Sequence, residues 1–305
     1  MSGVQKLSRI RLACQDAQRL ASFYESAFGF SRSVETHLAS SAFAALVHIP
    51  GAEAHITVLA LGGQKIELIS IEPEGEAYPA AVPAWSPLFQ HFAIVVSSME
   101  AAYARLQTQT GWTPISIEGP QLLPATSGGV TAFKFRDPEG HPLELLAFPS
   151  NAAPEIWRES RANGCLGIDH SAISVGNTSR SVNFYQRLGL QRTGGSYNTG
   201  PAQDKLDNIK GAVVEVTALA PPEATPHVEL LCYQETLNRN ARLPGINGAA
   251  ATQLILAVEG ASALHTLCAQ NPAALYSGPI AFADNMTRAM MRDPDGHLLC
   301  LEAPR

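Results

Sequence analysis

Residues 133–148 read FKFRDPEGHPLELLAF, and residues 290–304 read MMRDPDGHLLCLEAP. The two stretches agree through Arg-Asp-Pro-acid-Gly-His and then differ at alternate positions, one of which sets Glu144 in the first against Cys300 in the second. A segment that recurs this closely marks an internal repeat, and a repeat decides the fold before any local propensity is weighed. Outward from it, IRLACQDAQRLASFYESAFGF (10–30) aligns with SAISVGNTSRSVNFYQRLGL (171–190), superposing Phe23-Tyr24 on Phe184-Tyr185 and Arg19 on Arg180. Each copy reads as a short strand, a turn carrying Asp or Asn, and an amphipathic helix that stops at glycine. Further matched strands follow, QKIELISI around Glu67 and PHVELLCY around Glu229. QHFAIVVSSMEAAYARLQ (90–107) pairs in the same way with TQLILAVEGASALHTLCA (252–269).

The chain therefore divides into four strand-helix-strand-strand-strand units, over about 7–75, 88–148, 167–235 and 250–303. The expected organisation is one domain over 1–148, a linker over 149–164 (PSNAAPEIWRESRANG) and a second domain over 165–305. At 305 residues, 46% hydrophobic and 16% charged, the chain has length for two full cores. A net charge of −6 and the lack of any basic run argue against nucleic acid as a partner. No apolar stretch is long enough to span a bilayer. MSGVQKLSRIRLAC lacks the apolar core of a secretory signal, and five cysteines without a CxxC pair suggest no disulfide framework. A soluble, cytoplasmic protein is expected.

The βαβββ units, the FY…GF helix end and the RDPEGHPLELL turn and strand resemble the vicinal oxygen chelate superfamily, which holds glyoxalase I, extradiol dioxygenases and bleomycin-resistance proteins. The resemblance covers nearly the whole chain. It implies an α+β fold of two tandem domains with cup-shaped mixed sheets. It also implies that each unit offers an inward position on its first strand, usually His, and one on its last strand, usually Glu. Four such side chains from a pair of units can surround a divalent ion with imidazole and carboxylate donors.

Aligned on the repeat, the eight positions are Arg9 and Glu67, His91 and Glu144, His170 and Glu229, and Gln253 and Cys300. Pairing of units within each domain would leave both cups incomplete. Pairing across domains, first with fourth and second with third, gathers His91, Glu144, His170 and Glu229 into one full set. It leaves Arg9, Glu67, Gln253 and Cys300 as a degenerate second cup, and this arrangement is favoured because all three exceptions then fall together. In that cup Arg9 and Glu67 are expected to form an ion pair, with Glu302 on the same face as Cys300.

The resemblance implies a lyase or isomerase like glyoxalase I, with one divalent ion (Ni, Co, Zn, Mn or Fe(II)) held by His91, Glu144, His170 and Glu229. Its small substrate would carry vicinal oxygens and pass through an enediolate-type intermediate, with Glu144 or Glu229 as the base. The alternatives are an Fe(II) ring-cleaving dioxygenase and a binding or resistance protein without turnover. A homodimer is compatible with either. The segments 117–129 and 196–209 read as polar loops over the cup, Phe148 and Tyr233 as its walls, and His141 and His297 as turn residues at the solvent edge.

Overall fold

The computed structural model describes residues 3–158, 164–234 and 242–305. The first unit comprises β1 (Val4–Ala13), α1 (Ala17–Phe28), β2 (Ser31–Ala39), α2 (Ser41–Val47), β3 (Glu53–Leu61) and β4 (Gln64–Glu72). The second comprises β5 (Gln90–Val96), α3 (Met99–Gln107), the short β6 (Thr113–Pro114) and β7 (Gln121–Leu122), β8 (Thr131–Arg136) and β9 (Pro142–Ala147). After α4 (Glu155–Arg158), the third unit holds β10 (Cys165–Ser174), α5 (Thr178–Leu188), β11 (Gln191–Thr199), α6 (Pro201–Asp207), β12 (Val213–Ala220) and β13 (His227–Tyr233). The fourth holds β14 (Gln253–Val258), α7 (Ala261–Gln270), β15 (Leu275–Ala281), β16 (Met286–Arg292) and β17 (Leu298–Pro304).

Local chemistry sets these boundaries. Asp16 caps α1 by accepting from Arg19 N, and Asn177 caps α5 by accepting from Arg180 N. Both helices end at a glycine in the left-handed region, Gly29 at φ 77° and Gly189 at φ 109°. Between the caps, Leu20, Phe23, Tyr24, Ala27 and Phe28 recur at helical spacing and are buried. The main core that receives them contains residues of all four units, Leu20, Phe92, Phe184 and Leu254 among them.

Sheet pairing runs across the two halves of the chain. One sheet has the order β15-β16-β17-β14-β1-β4-β3-β2 and joins the first unit to the fourth. The other has the order β11-β12-β13-β10-β5-β9-β8-β6, with β7 beside β8, and joins the second unit to the third. In each, two antiparallel first strands meet at the centre, β1 against β14 and β5 against β10, flanked by the parallel last strands. This is the cross-paired alternative of the two that the repeat allows.

The Arg-Asp-Pro-acid-Gly-His turns bind units within each half. Asp137 Oδ1 accepts from Glu139 N at 2.9 Å and His141 N at 3.0 Å, which folds the turn around its own side chain. Asp137 Oδ2 accepts from Tyr24 OH at 2.9 Å and lies 2.9 Å from His141 Nδ1, while His141 Nε2 donates to Ala13 O at 2.9 Å. The other half repeats the plan, with Tyr185 OH donating to Asp293 Oδ2 at 3.2 Å and His297 Nε2 lying 2.9 Å from Ser174 O. His141 and His297 are thus buried staples rather than solvent-edge residues, at 0% and 5% exposure. Units are stapled along the chain and hydrogen-bonded into sheets across it.

Candidate metal centre

The second-and-third-unit cup surrounds a cavity of about 320 Å³ lined by His91, Glu144, His170 and Glu229. Strand alternation brings them there, since β5 and β9, and β10 and β13, are parallel neighbours that present one residue each toward the concave face. His91 Nε2 lies 3.0 Å from Glu144 Oε2, and His170 Nε2 lies 3.5 Å from Glu229 Oε2. The His91 and His170 rings are 5.8 Å apart, and donor atoms of His91, Glu144 and His170 all lie within 4.8 Å of one another. Donors bound at ~2.0–2.2 Å to one ion sit roughly 3–3.5 Å from each other, so this set fits a divalent metal.

Electrostatics match that donor set. Burial pushes the His91 pKa down against the opposing hydrogen bond to Glu144, which favours neutral imidazole. Burial would raise Glu144, but the His91 hydrogen bond and the Lys134 charge bring it below the usual carboxylate range. Glu229 is likewise held low, at about 2, because the His170 charge and the His227 hydrogen bond outweigh its burial. His170 rises to about 9, its burial outweighed by Glu229 and Asp169. These shifts favour a His170–Glu229 ion pair, whose proton a cation held at the same atoms would displace.

Outer residues hold this arrangement. Asp169 Oδ2 lies 3.0 Å from His170 Nδ1, turning Nε2 of the same ring toward Glu229. Asp169 is fixed in turn by Trp157 Nε1, which donates at 2.8 Å from α4, so the stretch read as a plain linker supplies a buried anchor. His227, at the head of β13, places Nε2 3.6 Å from Glu229 Oε1 and Nδ1 3.9 Å from Asp169 Oδ2. Asp169 precedes a candidate ligand and is acidic, a signal present in the sequence that the repeat obscures because its counterpart is Ser8. Trp157 carried no such signal.

The segment 196–209, read as a loop, contains the helix α6, and Ser196, Asn198, Gln203 and Leu206 line the cavity. From the 117–129 segment come Leu123, Thr126, Ser127 and Gly128, and both expected walls, Phe148 and Tyr233, are present. Behind the carboxylates, on the strand next to Glu144, Lys134 Nζ reaches buried Asp207 at 2.6 Å, and Asp207 also accepts from Gln203 Nε2 at 2.6 Å and Tyr233 OH at 2.9 Å. Burial opposes the Lys134 charge, yet Asp207, with Glu144 and Glu229, raises its pKa and keeps it an ammonium.

The other cup is closed to a metal by its own side chains. Arg9 Nε donates to Glu67 at 2.8 Å, and its Nη1 and Nη2 grip Glu302 at 3.0 and 2.9 Å. Arg11 stands where Ala172 stands in the first cup, by the matching registers of Arg11 with Gln253 and Glu67 and of Ala172 with His91 and Glu229. Its guanidinium donates to Glu67 Oε1 at 2.5 Å and to Gln253 Oε1 at 3.0 Å. Buried Cys300 neighbours that charge, and burial pushes its thiol pKa up. A covalently attached cation thus meets the only acidic member of the four aligned positions.

A fused pair of βαβββ domains, with one His/Glu cup intact and one whose carboxylates are paired with arginine, defines the class of protein. The family described as Glyoxalase/Bleomycin resistance protein/Dioxygenase superfamily matches residues 6–145 and again 167–301, and the chain belongs to it. Among solved structures, a variant of glyoxalase I from Zea mays is similar over 98% of this chain and 94% of its own, with a TM-score of 0.65 at 15% identity. Glyoxalase I from Zea mays itself covers 98% of this chain and 92% of its own, with a TM-score of 0.62 at 14% identity. At that identity the likeness is one of fold. No curated protein sequence matches the chain. Among the described residues, no helix is long and apolar enough to cross a membrane.

Proposed function

We propose that the chain is a divalent-metal-dependent lyase or isomerase of the glyoxalase kind, acting on a small substrate with vicinal oxygens at one centre per chain. The observation that carries this reading is that His91, Glu144, His170 and Glu229 converge on the cavity, while in the other cup arginine occupies the carboxylate Glu67. His91, Glu144, His170 and Glu229 would hold the ion, which when bound supplies Lewis acidity to substrate oxygens.

The remaining work falls to the chain's own groups. Glu144 or Glu229 takes the proton next to the substrate carbonyl, and Glu229 is the more open of the two, with a side chain 22% exposed against 8%. Lys134 keeps a positive charge beside both carboxylates, where it favours negative charge developing on substrate oxygen. Leu146, Phe148, Leu206 and Leu231 exclude water around the reacting atoms.

A second reading rests on one specific feature. His91, Glu144 and His170 form a compact group of two imidazoles and one carboxylate, the donor set of non-haem Fe(II) oxygenases. Elemental analysis of protein purified without chelator tests both, beside His91→Ala and His170→Ala. One divalent ion per chain, lost in both variants, is expected. Nickel, cobalt or zinc supports the lyase, and iron with oxygen uptake supports the dioxygenase. Metal that persists after His170→Ala overturns the shared centre. No metal even after reconstitution leaves a binding protein.

A further inference from the structure

The cup of the first and fourth units, closed to a metal, still encloses a cavity of about 260 Å³. Strand alternation sorts its lining by chemistry. Arg9 and Arg11 of β1 and Lys65 and Glu67 of β4 give it a polar side, completed by Asp284 and by Arg288 of β16. Leu38, Phe43, Leu46, Ile56 and Phe282 give it an apolar side. Val34 of β2 also lines it and is 50% exposed, a large apolar side chain that the fold leaves half uncovered.

The cup's own carboxylates do not saturate its cations. Arg9 gives its hydrogen bonds to Glu67, Glu302 and Ser8, and Arg288 pairs with Asp284 at 2.7 Å. Arg11 commits Nε to Glu67 and one N–H of Nη1 to Gln253, which leaves three of its five N–H groups without an acceptor among the described residues. The fully buried side-chain polar atoms without a described partner are His91 Nδ1, Gln203 Oε1 and Thr217 Oγ1. Arg11 Nη2 is not one of them, so it keeps accessible surface, and Arg11 lines the cavity. Lys65, exposed and two residues before Glu67 as His227 is before Glu229, pairs with no described carboxylate. Four cations, Arg9, Arg11, Lys65 and Arg288, thus meet three carboxylates, Glu67, Glu302 and Asp284, and one positive charge is left over.

We propose that this second cup is a binding site for a small organic monoanion, a carboxylate on an apolar body, whose head pairs with Arg11 and Lys65 and whose body lies against Phe43, Ile56 and Phe282. The uncommitted edge of a guanidinium suits a carboxylate, and one surplus charge matches one anionic group. The volume lies just below the ~300–1,000 Å³ of ordinary ligand pockets, which limits the body to a ring or a short chain. Burial opposes the Glu67 charge, yet Arg11 and Arg9 hold its pKa below the usual carboxylate range, so this cup has no base and binds without turnover. The assignment is independent of the metal centre.

Three compounds of one body, 4-bromobenzoate, 4-bromobenzyl alcohol and 4-bromophenyl phosphate, test this with the whole wild-type protein. Equilibrium dialysis compares their affinities in solution, and anomalous diffraction from bromine locates the benzoate in crystals grown with it. The benzoate is expected to bind about 10-fold or more tightly than the uncharged alcohol. Its bromine is expected among β2, β3 and α2, whether or not the His/Glu cup is also occupied. Equal affinity for the alcohol overturns the anion assignment, and tighter binding of the phosphate overturns the choice of a monoanion. Bromine found only in the His/Glu cup or on the surface overturns the site, as does benzoate that binds in the crystal but not in dialysis.

Discussion

Single substitutions explain why two cups of one ancestry differ. Where the cup proposed to hold metal has the small Ala172, its counterpart has Arg11, whose charge sits between Glu67 and Gln253. Removing one partner of a buried ion pair strands the other, so Glu67→Ala is expected to cost ~3–5 kcal/mol in urea unfolding. Arg11→Met combined with Glu67→Leu removes that pair together, and is expected to cost much less than Glu67→Ala alone. Arg11 was visible in the alignment opposite Ala172, yet the repeat drew attention only to Arg9. In the His/Glu cup, Asp169 sets the His170 ring. Asp169→Asn should weaken zinc binding ~10–100-fold in a competition titration while leaving thermal unfolding of the metal-free protein little changed.

At the scale of elements, the recurring motif residues prove to be structural. The Phe-Tyr helix end and the Asp-Pro-acid-Gly-His turn lie far apart in sequence but meet in one buried bond network, Tyr24–Asp137–His141–Ala13. Burial opposes the His141 charge, yet Asp137 raises its pKa above the ordinary histidine value. The folded value lies above the unfolded one, so the stabilisation is complete below about pH 6.5 and is lost as pH rises through the folded value. Urea unfolding of the wild type and His141→Gln should therefore differ most at pH 6, and their difference should shrink toward pH 9. An equal difference at both ends of that range would contradict the assignment. The helix α6 was not legible, because Gly200, Pro201 and Asn208 bracket only seven residues and read as loop.

At the scale of the whole molecule, neither half of the chain owns the proposed metal centre. The first half contributes His91 and Glu144, and the second contributes His170 and Glu229. A cut between Asn151 and Ala152 keeps Trp157 with Asp169 in the second fragment. Self-pairing of the first fragment would join His91 and Glu144 to Arg9 and Glu67. Self-pairing of the second would join His170 and Glu229 to Gln253 and Cys300. Neither fragment expressed alone should hold metal at one per chain, whereas co-expressed fragments should recover one ion per pair by elemental analysis. Metal held tightly by either fragment alone would break the shared-centre reading.

The sequence by itself determined the repeat, the four βαβββ units and the aligned positions of all eight cup residues, because hydrophobic periodicity and turn chemistry are local. It also narrowed the pairing, since Arg9, Gln253 and Cys300 are poor ligands that one cross-paired cup collects. Only the tertiary structure decided that pairing, because the bonds between β1 and β14 and between β5 and β10 are made by backbone groups that carry no residue-specific record of their partner. It alone joined Lys134 to Asp207 and Trp157 to Asp169 around the cavity, since these pairs are set by neighbours distant in sequence and, for Asp169, by the direction in which its side chain turns.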